Sequence, residues 1–364
     1  MPLPSSPNSI SANQISQEFG RNSPFKLGDY RSTTSFGGVN WPFDEGIPTS
    51  GPISFGNFRG KQHNIVALMS GGTSDRLTVT THASFLSIGG LKTSTNSSAR
   101  SKAKNIVYVI RTIGSSQGDR TNCALRTGNQ TSWYGGSPNG GKVVIKIGSG
   151  GKLYGAGGDG GRGGTENNDG TNGKNGTSAL GLQVDVESII VESGGLIQAG
   201  GGGGAGGGGG REDSRRLRRA GGGGGGGGAG RPAGEGGGIS YTGEQDEGES
   251  GSDGTLTAGG NGGEGGNNDD ECRGGGGGGG GSLGEVGEAG GVQVAEHGGG
   301  DPGEDGEGSR GGEGGDGGGR EGESDGGEGG ANGFSITSSS GISIPSVTGE
   351  SLVKGTKSAG SGVR

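Results

Sequence analysis

Aromatic residues make up 4% of this 364-residue sequence, and hydrophobic residues of every kind only 24%. A globular chain of this length normally has a larger apolar share, so one ordinary core cannot serve all of it. The apolar residues that exist lie mostly before residue 200. Cysteine is limited to Cys123 and Cys272, too few for a disulfide framework, although one long-range bridge between them is left open. Seven of the 11 prolines fall before residue 53, which excludes a collagen-like repeat in the remainder. No stretch is long and apolar enough to span a membrane. The opening MPLPSSPNSISANQ has neither the basic start nor the apolar run of a signal peptide.

Charge is uneven. The chain carries −8 overall, yet residues 201–330 hold 25 Asp and Glu against 9 Lys and Arg, so the remainder is on balance basic. An acidic, glycine-rich half does not suit a nucleic-acid grip, which must neutralise phosphates. The RGG triplets at Arg273 and Arg310 lack aromatic neighbours and do not alter that expectation.

Glycine is the abundant residue, with 104 copies, many in runs of four to eight between 198 and 331. Ordering glycine is costly because it loses the most backbone freedom. A flexible linker is therefore one reading. The other is a packed array of extended three-residue-per-turn helices, in which only hydrogen side chains let neighbouring backbones meet and hydrogen-bond.

Residues 1–62 read as a small module. ISANQISQEFG offers Ser11 as a helix N-cap with Gln14 at capping-box spacing. Ile15 and Phe19 share a face at i, i+4, and Gly20 is placed to end the helix. Related phrases follow as KLGDYR and ISFGNFRGK, each with an aliphatic residue before an aromatic one. Ile15, Phe19, Tyr30, Trp41, Phe55 and Phe58 are the candidate docking residues, and a self-contained domain is the alternative. Residues 63–147 alternate as strands in NIVALMS, RLTVTTHASFLSI, KNIVYVIRTI and KVVIKIG, and are expected to form a small sandwich or sheet.

An internal repeat joins this region to the glycine half. KVVIKIGSGGKLYGAGG matches VESIIVESGGLIQAGG, with a weaker echo in FSITSSSGISI. A solenoid, or a stack of β-hairpins with glycine segments, is expected. The expected divisions are 1–62, 63–147, 148–335 and 336–364, the last a C-terminal strand and flexible tail. The expected fold class is mainly β with irregular structure: a docking module, a β-sheet domain and a glycine-rich region that is either a packed helix array or a linker.

The phrases ISANQISQEFG and IPTSGPISFGNFRGK resemble a module common in tailed-phage virion proteins, where ISxxQIxxEFG is followed by ISxxxFxGK. The segment from VVIKIGSGGKLYGAGG to IIVESGGLIQAGGGGGAGG is similar to the glycine-rich part of phage tail-fibre tips and host-specificity adhesins. The resemblance implies a virion protein made in the host cytoplasm, with polyglycine-II helices presenting loops to a host surface. It implies other virion proteins (tail fibre, baseplate or tail tube) as partners, and host polysaccharide or an outer-membrane protein as receptor. A purely structural virion component is the alternative.

Within REDSRRLRR, the candidate surface residues are Arg215, Arg216, Arg218 and Arg219, joined by Tyr241 and His297 from other inserts. Such a patch would meet an acidic polysaccharide or partner, whereas a solvated loop is the plain alternative. His63, His82 and His297 are dispersed, and NNDDECR reads as a solvated turn before it reads as a calcium site. Serines and histidines do not cluster, and the isolated carboxylates lack an apolar pocket. No enzyme, cofactor or metal is expected.

Overall fold

The computed structural model describes residues 3–5, 8–20, 24, 26–31, 34–36, 39–41, 46–70, 75–85, 103–134, 142–165, 167–212, 218–240, 247–268, 272–282 and 322–364. The protein is mainly β, and its strands build a three-faced parallel coil. The first face stacks Asn64–Met69, Lys104–Val109, Val143–Ile147, Ser188–Val191 and Val347–Thr348, all parallel. The second stacks Thr112–Ile113, Lys152–Tyr154, Leu196–Gln198 and Val353–Lys354. The third stacks Leu77–Thr78, Cys123–Arg126, Ser178–Leu182, Ile336–Ser338 and Lys357–Ser358. From Lys104 onward the chain visits the faces in that order, turn after turn. Ser84–Phe85 pairs antiparallel against Asn64–Met69 at the edge.

Every strand sends alternate side chains inward, and register stacks them into files. Val107, Ile145 and Ile189 form one file, Ile113, Leu153 and Ile197 a second, and Leu125, Leu180 and Ile336 a third. All nine belong to one buried core. Fully burying each such side chain is worth about 1.5–3 kcal/mol, which concentrates the scarce apolar residues where they count most. The outer side of the first face buries a smaller set, Val66, Ile106 and Tyr108, so its strands are apolar on both sides, as parallel sheets usually are.

The sequence repeat is the stacking of successive coils. Ile147 pairs with Val191 and Lys152 with Leu196, which places the two Ser-Gly-Gly corners one above the other. The corner carries the chain onward from the first face to the second, with Gly194 at φ 90°. The two halves of the repeat therefore do not fold back as hairpins: Lys152–Tyr154 pairs with Thr112–Ile113 and Leu196–Gln198, not with Val143–Ile147. The echo at Phe334 has another origin, since Ile336–Ser338 lies on the third face. The sheet expected within 63–147 likewise extends past that limit, because Lys104–Val109 pairs with Val143–Ile147 and Cys123–Arg126 with Ser178–Leu182.

In the N-terminal region the three related phrases become three short helices, Ala12–Phe19, Leu27–Tyr30 and Phe55–Phe58. Each starts by the same device, an N3 side chain accepting from the N-cap amide: Gln14 from Ser11, Asp29 from Lys26 and Asn57 from Ser54. Their aromatic residues converge, with ring centroids of Phe19, Tyr30 and Phe58 separated by 5.9–6.1 Å. The module meets the coil where Glu18 accepts from the His63 amide at 3.1 Å and the Phe19 ring meets His63 edge-on.

The glycine runs are two excursions from the coil, both leaving after its second face and returning at its third. The first spans 155–177; the second leaves after Gln198 and returns at Ile336. Their backbones hydrogen-bond with a period of three. Gly158, Gly161 and Gly164 donate to Gly201, Gly204 and Gly207, while Gly157, Gly160 and Gly163 donate to Pro232, Glu235 and Gly238, at 2.7–3.0 Å. The intervening carbonyls of Ala156, Asp159 and Arg162 accept from Thr177, Lys174 and Thr171.

Run 220–230 is enclosed by runs 155–164, 199–209, 232–238, 247–255, 257–266 and 273–281, with hydrogen bonds to all six. A Cβ at its Gly225 would collide with the carbonyl of Gly204. Peripheral runs need glycine only where they face a neighbour. In DGTNGKNGT, Gly170, Gly173 and Gly176 abut run 199–209, and in AGGNGGEGG the side chains of Asn261 and Glu264 point to solvent. Side chains complete the ladder between 169–178 and 325–334: the Oδ1 atoms of Asp169, Asn172 and Asn175 accept from the amides of Asp325, Glu328 and Ala331.

Candidate functional site

The excursions run outward and back, so their turns collect at two ends. At the coil end lie Tyr154, Ser178, Gln198 and the tight turn in which Thr255 donates to Ala258. At the far end lie residues 165 and 167–169, 210–212, 218–220, 239–240, 267–268, 272–273 and 322–324. The described ends of the inserts REDSRRLRR and NNDDECR meet there, whereas the insert turn at Thr255–Ala258 lies at the coil end.

Short strands build this end. Gly210–Glu212 pairs antiparallel with Arg218–Ala220 and, on its other side, with Gly322–Glu323. Asn267–Asn268 pairs with Cys272–Arg273 in a second hairpin, and the two hairpins lie side by side. Register sets Arg211 directly across from Arg219. The turn 165–169 is closed by reciprocal Thr165 and Asn168 backbone bonds at 2.9 and 3.1 Å, with Asn168 Nδ2 donating to Thr165 Oγ1.

Of the surface residues expected from sequence, Arg218 and Arg219 fall on the far-end strand Arg218–Ala220. Arg215, Arg216, Tyr241 and His297 lie outside the described residues, as do the acidic residues 269–271 of NNDDECR. Arg211 and Arg273 also fall at this end, Arg211 from the REDSRRLRR insert and Arg273 from an RGG triplet, neither of them among the surface residues expected from sequence.

The candidate docking residues divide. Ile15, Phe19, Tyr30 and Phe58 are fully buried in the module's own core, so they hold the module together and any surface it offers is made by others. Phe55 is 42% exposed. Trp41 ends the strand Val39–Trp41, and its side chain lies outside the described residues. His63 is buried beside Phe19, and His82 accepts from or donates to the Thr78 backbone at 3.0 Å. Cys123 is a free, buried thiol on the third face, so no bridge to Cys272 forms. Burial pushes its pKa up to about 12, against the pull of Arg126 and Arg76.

One polar junction stiffens the runs between the two ends. Asp159 accepts from the Glu235 amide at 3.1 Å and from Gln117, and pairs with Lys174 at 2.8 Å. Among the described residues no three His, Cys, Asp or Glu side chains are grouped to hold a metal, and no helix is long and apolar enough to cross a membrane.

A comparison with curated proteins gives no match. Among solved structures, the crystal structure of the gp37–gp38 adhesin tip complex of the bacteriophage S16 long tail fibre is similar over 85% of this chain and 88% of that one, at 16% identity and a TM-score of 0.30. The family model described as phage tail fibre adhesin Gp38 matches residues 75–273, more than half of the sequence. That span runs from the first strand of the third face to the second far-end hairpin, and with it the chain belongs to the Gp38 family of phage tail fibre adhesins.

Proposed function

We propose that the chain is the receptor-binding tip of a tail fibre, in which a polyglycine-II sandwich carries the far-end loops to the host surface. The observation that carries this reading is the common placement of the run ends: successive antiparallel runs bring 167–169, 210–212, 218–220, 267–268 and 272–273 to one end, away from the coil. The three-residue period of the hydrogen bonds and the six-sided enclosure of run 220–230 support the polyglycine-II geometry. Preorganised loops spare a binder the entropy of ordering them, and several copies per particle would add avidity. In this reading residues 1–62 attach the tip to another virion protein, the coil is the platform, and the loops face a host polysaccharide or outer-membrane protein.

The test is binding of purified, labelled protein to host cells. Replacing 213–217 by a short Gly-Ser turn is expected to abolish cell binding while leaving the unfolding temperature within about 2 °C of wild type, because the packed runs on either side are unchanged. Unchanged cell binding with every far-end loop replaced would overturn the reading.

A further inference from the structure

The first two coils hold a pair of arginines that the adhesin reading does not use. Leu77–Thr78 pairs in parallel with Cys123–Arg126, and Thr78 lies opposite Arg126. Arg76 immediately precedes that strand, so the two arginines sit on adjacent strands of the third face. The backbone fixes Arg76 in place: its amide donates to the Gly114 carbonyl at 3.0 Å, while Asp75 Oδ1 accepts from the Gly114 amide at 2.9 Å. Arg76 also adopts φ 57°, a left-handed conformation that L-residues avoid. Arg126 is tied to it, with Nη2 donating to the Arg76 carbonyl at 3.3 Å.

The side chains are short of partners. The Nε of each arginine is shielded from water and makes no hydrogen bond among the described residues. Neither guanidinium is in an ion pair among the described residues. The two charges are within reach of each other: burial and then the charge of Arg76 disfavour the charged form of Arg126, and both act on the Cys123 thiol. Two cations drawn together and partly desolvated are costly without an anion.

We propose that Arg76 and Arg126 form a binding site for a small oxyanion, a carboxylate or phosphate group, on the third face where the first two coils meet. Guanidinium forks match the paired oxygens of such groups, and charge-assisted bonds of this kind are among the strongest available. The site stands apart from the far-end loops, so it gives the protein a second point of attachment independent of host contact.

The test is thermal unfolding of the full chain in sodium phosphate, sodium acetate and sodium chloride at matched ionic strength. Phosphate or acetate is expected to raise the unfolding temperature saturably, as ln(1 + [L]/Kd), where chloride does not. A larger effect of acetate identifies a carboxylate as the natural occupant, and a larger effect of phosphate a phosphoryl group. Arg126→Gln is expected to weaken the apparent affinity about tenfold or more. Lys142→Gln, which removes an exposed pair with Glu187 and leaves both arginines in place, is expected to keep it. Arg76→Gln serves as the second variant should Arg126→Gln fail to fold, as read by circular dichroism. Equal behaviour of the three salts, or an undiminished effect in a folded Arg126→Gln protein, overturns the proposal. Cell binding is measured separately, so neither result bears on the adhesin reading.

Discussion

The amide of Gly202 donates to Oδ1 of Asn332 at 2.8 Å, joining residues 130 positions apart inside the glycine-rich excursion. Both are buried. Here a side-chain amide takes the place that a neighbouring backbone carbonyl takes elsewhere among the runs. Asn332→Ala strands the Gly202 N–H and is expected to cost about 1–3 kcal/mol in chemical denaturation. A loss below about 0.3 kcal/mol would show that the bond contributes nothing net.

Glycine should be replaceable only where it faces no neighbour. Gly225→Ala drives a methyl group into the Gly204 carbonyl, whereas a Cβ at Gly238 meets nothing within 4 Å. The first change is expected to destabilise by about 3 kcal/mol, and the second to stay within about 0.5 kcal/mol of wild type. Comparable unfolding curves for the two variants would contradict the backbone-to-backbone packing.

The Asp159 junction sets an acid limit. Burial tends to raise the Asp159 pKa, but its bonds to Lys174, the Glu235 amide and Gln117 prevail and hold the carboxyl below its ordinary range. The unfolded chain therefore takes up this proton first as pH falls. The stability Asp159 contributes is complete above about pH 4 and disappears as pH drops through the folded-state value. Lys174 mirrors it: Asp159 raises the Lys174 pKa, so that contribution fades only as pH rises beyond the ordinary lysine range. Asp159→Asn is expected to unfold at lower temperature than wild type at pH 7, with the gap closing below about pH 4. A gap that stays constant between pH 7 and pH 3 would remove the junction from the account.

Cys123 should be chemically silent while the protein is folded. The thiolate is the reactive form, and burial keeps the thiol protonated up to about pH 12. In a Cys272→Ser background, a thiol reagent at pH 8 is expected to label Cys123 only after denaturant is added. Stoichiometric labelling of the native protein within minutes would show that the third face opens readily.

The strands were legible because alternation and β-branching mark them directly, and the Ser-Gly-Gly repeat marks their stacking. Their connection was less so. A strand, a Ser-Gly corner and a second strand read equally well as a hairpin or as one bend of a coil, and only the partners of Leu153 and Ile145 decide between the two. The converging triad of Phe19, Tyr30 and Phe58 was visible as three related phrases, but a sequence does not say whether an aromatic faces inward or toward a partner. Among the glycines a usable signal went unread. Gly170, Gly173 and Gly176 recur every third residue, as do Asn261 and Glu264 between glycine pairs, and this spacing tells a peripheral run from an enclosed one. The far-end arginines carry no such signal, since their meeting depends on how many residues each run contains.

The rungs from Asp169 to Asp325, Asn172 to Glu328 and Asn175 to Ala331 all span 156 residues, in steps of three. Inheritance must respect that arithmetic. One residue gained inside a run throws every later rung out of phase, whereas three restore it, so the runs obey something like a reading frame written in protein. The turns at their ends obey none and can lengthen or shorten by any number. A lineage can therefore rewrite what the far end displays, one small insertion or deletion at a time, while the frame behind it stays fixed.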